Sequence, residues 1–245
     1  MARHVPRVYS VALGSDEFEL AGACAHHLVS VLKIRQGGEF IAFNEIDGEW
    51  MCSIESITKA GVVAKKHTLL RTLEGPVKRL ATAACVVKPD TMRTIVEKCT
   101  ELGATDIFLL LSVYTNVHTI SMEKLSAIAV GASEQSERLD IPRIHRPQKL
   151  VEFIEELPGG FMWISAVERI SGRSNVTSII EADLRGDCGF IVGPEGGFSE
   201  AEKALLLART TAVTLSNNVL RSETAAIACL AICSAKNAAL TRTSR

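Results

Sequence analysis

The chain has 245 residues, 47% of them hydrophobic and 22% charged, with a formal net charge of −1. That length holds one large domain or two modest ones, and the composition excludes a disordered or fibrous chain. No stretch reaches the roughly 18 uninterrupted apolar residues of a membrane helix, and seven cysteines without a Cys-x-x-Cys pair point to reduced thiols rather than disulfides or zinc.

The start, Met1-Ala-Arg-His-Val-Pro-Arg7, leads into no apolar secretory core. The expectation is a soluble cytoplasmic protein with no metal and no membrane contact. From Val8 to about Arg71 short β-like runs dominate: Phe40 to Phe43, Trp50 to Ile57 and Gly61 to His67, broken by turn signals at Gly37-Gly38 and Asp47-Gly48. One helical stretch, Ala23 to Ile34, interrupts them, and the whole fits a small barrel or sandwich. Thr72 to Lys78, with Gly75-Pro76, reads as a linker between a domain over 1–72 and a second over 79–245.

Charge is unevenly spread. Between Lys59 and Lys98 nine lysines or arginines meet three acids, a local excess of six positive charges in a near-neutral chain. Such a run suits a phosphate-facing surface, and equally a solvated face.

Beyond the linker, apolar strands alternate with amphipathic helices, the pattern of an α/β domain with a largely parallel sheet. The strands are expected at Arg79 to Val87, Asp106 to Leu111, Phe161 to Ala166, Gly189 to Val192 and Ala212 to Leu215. Helices are expected at Thr91 to Leu102, Ser121 to Ser136, Lys149 to Glu156, Glu200 to Ala208 and Glu223 to Leu240.

Three segments carry candidate chemistry. Gly193-Pro-Glu-Gly-Gly197 leaves a buried strand and enters a helix with a capping box, Ser199 as N-cap and Glu202 three residues on. Ligands of open α/β sheets sit beyond the carboxyl ends of strands, so this loop is a site candidate, although an ordinary β-to-α turn reads the same way. It matches neither the dinucleotide nor the P-loop glycine pattern. A second loop, Leu215 to Leu220, leads into Arg221-Ser-Glu-Thr224, where Glu223 is favourable at a helix start with or without a chemical role. The third segment, Glu134-Gln-Ser-Glu-Arg138 through Arg143 and Arg146, has the arginine density of a phosphate or base-edge contact or of a solvated surface.

Taken in order, Lys88-Pro-Asp-Thr-Met92 through Lys98-Cys-Thr-Glu-Leu-Gly103, Glu134-Gln-Ser-Glu-Arg138, Gly193-Pro-Glu-Gly-Gly-Phe-Ser-Glu-Ala-Glu202 and Val219-Leu-Arg-Ser-Glu-Thr-Ala225 resemble one family. It is the small-subunit (16S) ribosomal RNA uridine-N3 methyltransferases, the RsmE type of SPOUT enzymes. Pro6-Arg-Val-Tyr9 and His27-Leu-Val-Ser-Val-Leu-Lys33 resemble that family's first domain.

The resemblance implies a PUA-like β-barrel followed by an α/β SPOUT methyltransferase domain with a trefoil knot, acting as a homodimer on the small ribosomal subunit. It implies S-adenosylmethionine held by Ser165, Ala166, Gly193, Glu195, Gly196, Gly197, Leu215, Ser216, Asn217, Val219, Leu220, Thr224 and Ala225. RNA contacts are expected from Arg7, Lys33, Lys88, Arg93, Arg138 and Arg143, and an acid after the preceding strand would be Glu168. Where relatives show Leu-Gly-x-Arg this chain has Leu215-Ser-Asn-Asn218, so a glycine's close approach at 216 and an arginine contact at 218 are absent.

Methylation at N3 needs two reactants positioned and one proton removed. Arg138 and Arg221 are candidates for holding the base or an anion, since arginine stays protonated, and Glu223 is the candidate base. Two other functions are consistent with these residues: a ribose 2′-O-methyltransferase of the same fold, and a non-catalytic RNA-binding assembly factor.

Overall fold

A computed structural model describes residues 5–73, 78–117, 119–167, 177–182, 184 and 186–243, with 177 and the last seven by backbone alone. Contacts divide the chain into two compact units, 1–77 with Ser133–Ile141, and 78–132 with 142–245. The first therefore takes in a segment that the sequence placed in the second domain. Part of the expected linker, 74–77, lies outside the described residues.

Among the described residues the first unit has five strands, β1 (Arg7–Tyr9), β2 (Glu17–Ala21), β3 (Glu39–Asn44), β4 (Gly48–Ile57) and β5 (Gly61–Arg71), ordered β1-β3-β4-β5-β2. β1 runs parallel to β3, and the other pairs are antiparallel. Alternation explains β2, whose Phe18 and Leu20 are buried while Glu17, Glu19 and Ala21 face out. Three register shifts between β4 and β5 add twist to the sheet. Its core gathers Val8, Leu13, Phe18, Leu20, Leu28, Phe40 and Ile54.

The expected helix over Ala23 to Ile34 is shorter and irregular. α1 (Gly22–His26) widens into a π turn over His27–Val31, closed by the Leu32 amide donating to the His27 carbonyl at 2.9 Å. Lys33 then takes a left-handed backbone, φ 56°, which ends the helix.

A buried carboxylate organises one end of this unit. Glu49, its side chain 7% exposed, accepts from both Arg7 and Arg71. Arg7 also donates to the Glu134 carbonyl at 3.0 Å and lies over the Phe43 ring, while Arg71 donates to the Glu137 carbonyl. The Tyr9 amide donates to the Glu134 carboxylate at 3.0 Å.

The second unit is a parallel sheet with helices. Its elements are β6 (Leu80–Cys85), α2 (Pro89–Glu101), β7 (Asp106–Leu111), α3 (Met122–Gln135, from Ser133 on counted with the first unit), β8 (Arg143–Ile144), β9 (Gln148–Lys149), α4 (Leu150–Glu155), β10 (Met162–Ala166), β11 (Thr177–Ser178), β12 (Cys188–Val192), α5 (Glu200–Arg209), β13 (Thr211–Thr214) and α6 (Ser222–Thr243). Strand order is β11-β13-β10-β12-β6-β7-β8, with β9 also on β7, and every described pairing is parallel. β6 and β12 are buried at every position, as strands covered on both faces must be. Phe108, Phe153 and Trp163 anchor one side of the core, with ring centroids 5.0 to 5.8 Å apart.

The five strands and five helices read from the sequence in this unit are all present within a few residues of their expected ends, and Asp106–Leu111 matches at both. Residues 168–176, with Glu168, lie outside the described residues.

Candidate cofactor site

β10 lies between β12 and β13, with Ala166 in register with both Val192 and Val213. Three carboxyl ends therefore open side by side, where an open α/β sheet binds ligands. A cavity of about 350 Å³ occupies this edge. Ala166 and Val167, the Val192 to Phe198 loop, the Val213 to Leu220 loop, Lys203, Ser222 and Ala225 line it.

The glycine loop is a tight turn, with the Gly197 amide donating to the Pro194 carbonyl at 2.9 Å. Gly197 has φ 70°, a left-handed backbone that disfavours other residues. Gly196 is tightly packed: a Cβ there would stand 3.1 Å from the Cβ of Tyr114, so that side chain would have to give by a few tenths of an ångström. The capping box is formed in full, Ser199 and Glu202 each accepting from the other's backbone. Glu202, 2% exposed, also accepts from the Val113 amide at 2.9 Å, which joins the loop after β7 to the start of α5.

The second loop has its own bonds. The Ser216 hydroxyl accepts from the Asn218 amide at 3.1 Å and the Ser216 carbonyl from the Thr214 hydroxyl at 3.3 Å. Ser216 thus closes the turn with its side chain, and both Ser216 and Asn218 line the cavity. Ser222, to which the sequence assigns no role, donates to the Gly193 carbonyl at 2.7 Å and fastens one loop to the other. Ser222→Ala should leave that carbonyl short of a donor, at a cost of about 1–3 kcal/mol. The expected result is cofactor binding weakened by roughly tenfold, read by calorimetry with S-adenosylmethionine; unchanged affinity removes Ser222 from the site.

Eleven of the thirteen residues expected to hold cofactor line the cavity; Ser165 and Thr224 do not. Alternation along β10 explains the first, since Ala166 faces the cavity and the buried Ser165 hydroxyl accepts from Thr210 at 2.8 Å. Thr224 is exposed one turn into α6. Val167, Val192, Phe198 and Val213 line the cavity without having been expected to, as does Lys203, which pairs with Glu200 at 2.7 Å. Their signal was available in part, because they flank the two loops.

The residues expected to act on RNA are dispersed. Arg221 is exposed and Glu223 half-buried, both at the start of α6 and neither lining the cavity. Arg138, in the segment grouped with the first unit, is held by Asp140 through two bonds of 3.0 and 2.5 Å. Arg7 is 8% exposed and its guanidinium is engaged by Glu49 and backbone carbonyls, so those donors are used inside the first unit. Lys33, Lys88, Arg93 and Arg143 are exposed.

At the sheet's opposite edge Asp106 accepts from His145 and Thr105 at 3.0 Å and from Arg79 at 3.4 Å. Burial alone would raise its pKa, but the bonds from His145 and Thr105 and the Arg79 charge bring it below the ordinary aspartate value. Among the described residues, no group of three or more histidines, cysteines or acids is placed to hold a metal, and no helix is long and apolar enough to cross a membrane.

A parallel sheet whose adjoining carboxyl ends carry two loops around one cavity is the ligand-binding architecture of an open α/β domain, and the family models give its class, RNA methyltransferase. The family model described as an RNA methyltransferase domain matches residues 74–234, and the model described as an RNA methyltransferase PUA domain matches 20–66. Ribosomal RNA small subunit methyltransferase E of Rickettsia conorii is 29% identical over 210 residues, 84% of this chain and 84% of its own. The protein of the same description from Bacillus subtilis is 27% identical over 221 residues, covering 85% and 86%. A Legionella pneumophila structure solved with the cofactor SAM bound superposes with a TM-score of 0.83 at 27% identity, over 96% of this chain and 98% of that one. The chain belongs to the ribosomal RNA small subunit methyltransferase E family.

Proposed function

We propose that this protein transfers the methyl group of S-adenosylmethionine to N3 of a uridine in 16S ribosomal RNA of the small subunit. The observation that carries the reading is the cavity at the three strand ends, in a chain whose relatives across most of its length bear that enzyme's name.

The residues present fit the cofactor. A volume of about 350 Å³ is within the usual range of small-molecule pockets. Val167, Val192, Val213 and Leu215 offer apolar walls for a flat base, and Ser216, Asn217 and Asn218 offer polar groups for ribose hydroxyls. Ala166, Gly193, Glu195, Gly196, Gly197, Val219, Leu220 and Ala225 complete the enclosure. When bound, the cofactor supplies a methyl group on a positively charged sulfur.

The protein's part is to hold the uracil in line with that methyl, exclude water and take up one proton. The chain's own share of the chemistry would be to take up the proton carried by uracil N3. Glu223 is assigned as its acceptor, Arg221 as the cation near the developing charge, and Arg138 as an RNA contact that must exchange its Asp140 partner for phosphate or base. Lys33, Lys88, Arg93 and Arg143 are exposed cations suited to the RNA backbone. Homodimerisation, with RNA bound across the interface, and a cytoplasmic location belong to the same proposal.

Labelled cofactor incubated with small subunits lacking the modification, followed by nucleoside mass spectrometry, tests it. The expected product is N3-methyluridine. A 2′-O-methyl product reassigns the reaction, and a folded protein that binds no cofactor favours a scaffold. Glu223→Gln should lower kcat by about 10²–10⁴-fold with cofactor affinity retained; near-wild-type turnover under saturation removes the base assignment.

A further inference from the structure

Among the described residues, Tyr114 is the one aromatic in the set of exposed large apolar side chains, 47% exposed, and its neighbour Val113 is 68% exposed. Both sit in the loop that follows β7, at the carboxyl edge of the sheet where the cofactor cavity opens. The Tyr114 Cβ rests against Gly196, so close that a Cβ on that glycine would lie 3.1 Å away, and Gly196 lines the cavity. Val219, on the second cavity loop, is a further exposed apolar side chain at 57%.

The loop is pinned at several points. Its Val113 amide donates to the buried Glu202 carboxylate, and the Ser112 amide donates to the Thr115 hydroxyl at 2.9 Å. The Thr115 amide returns a bond to the Ser112 carbonyl at 3.1 Å, and Thr115 is 5% exposed. A rigid backbone therefore presents a ring to solvent beside the cavity. An aromatic in that position is a stacking surface, and the methyl-transfer reading supplies a flat partner for it. A uracil whose N3 is to be reached must leave its own stack, and the lost contact has to be replaced.

Resting on the function proposed above, we infer that Tyr114 is the stacking platform for the uracil that receives the methyl group, a positioning residue for substrate and not for cofactor. It acts through its ring face, sequence-tolerantly, while the RNA strand is held elsewhere by cations.

Photocrosslinking tests the placement without turnover. The full chain is saturated with S-adenosylhomocysteine, bound to a small-subunit RNA fragment carrying 5-iodouridine in place of uridine, irradiated, and mapped by peptide mass spectrometry. The expected adduct is on Tyr114; adducts only elsewhere, or none, overturn the inference. Kinetics supply the second arm. Tyr114→Ala should lower kcat/KM for the RNA on the order of tenfold, and Tyr114→Phe should restore most of it, with cofactor Kd within about twofold throughout. Full activity in the alanine variant, or an equal loss in both variants, overturns it. So does a change of oligomeric state in Tyr114→Ala, which would assign the ring to a protein interface. A wild-type protein that transfers no methyl to N3 strikes the proposed function instead, and the crosslink still decides whether a base stacks on Tyr114.

Discussion

Replacing Glu202 with alanine should lower the stability of the second unit by about 2–4 kcal/mol and weaken cofactor binding with it. The carboxylate is buried and accepts from the Ser199 amide, the Ser199 hydroxyl and the Val113 amide, at 2.8 to 2.9 Å. Removing it abolishes the capping box of α5 and leaves two backbone donors without their acceptor. Because those donors belong to the glycine-loop exit and to the Tyr114 loop, the damage falls on both sides of the cavity mouth. Glu202→Gln keeps one acceptor oxygen and should lose about half as much. Urea unfolding followed by near-ultraviolet circular dichroism, with calorimetric titration of S-adenosylmethionine, measures both quantities. An alanine variant with the wild-type midpoint and affinity would show that the loops hold their positions without this residue.

Glu49→Ala is expected to be the most damaging change in the first unit, about 3–5 kcal/mol, because it leaves the buried Arg7 guanidinium without its counter-charge. Arg71, 45% exposed on its side chain, can turn to water and contributes less. The same site sets a pH dependence. Burial by itself raises the Glu49 pKa, but the bonds from Arg71 and Arg7 outweigh it and bring the group below its ordinary value of 4.5. A carboxylate with a lowered folded pKa contributes stability above its unfolded pKa and loses it as pH falls through the folded one. Asp106 acts in the same direction in the second unit. Glu134 acts oppositely, since burial raises its pKa and its ionised form is disfavoured in the fold. Wild-type stability should therefore decline as pH falls below about 4.5, and the decline should be shallower in Glu49→Ala. Parallel acid limbs in the two proteins would remove Glu49 from the account.

How far the sequence reveals this molecule depends on whether a feature is local. Asp106–Leu111 is read correctly to the residue because a strand covered on both faces must be a continuous apolar run, and the Ser199–Glu202 box because its two partners are three residues apart. β1 escapes notice, being three residues long and paired in parallel with a strand more than thirty residues on. The π turn at His27 reads as regular helix because its apolar spacing is nearly the same. At the site, the two loops are visible from their glycines and turn residues. The Ser222 bond to Gly193 spans 29 residues and the Glu202 bond to Val113 spans 89, so neither leaves a pattern that periodicity detects. The family resemblance carried what pattern could not, and it carried Arg7 as an RNA contact where the fold buries it under Glu49.

The cysteines described as reduced have one further use. Cys24 and Cys52 belong to the first unit and Cys85, Cys99, Cys188, Cys229 and Cys233 to the second, all but Cys24 buried. Burial raises the Cys52 thiol to about 11 and the Cys85 and Cys99 thiols to about 12, so at neutral pH they are protonated and unreactive while the fold is closed. Their alkylation then proceeds only as often as the surrounding structure opens. Each unit thus contains its own chemical clock, and the rate at which each ticks reports opening of the PUA unit and of the methyltransferase unit separately, in the unaltered chain.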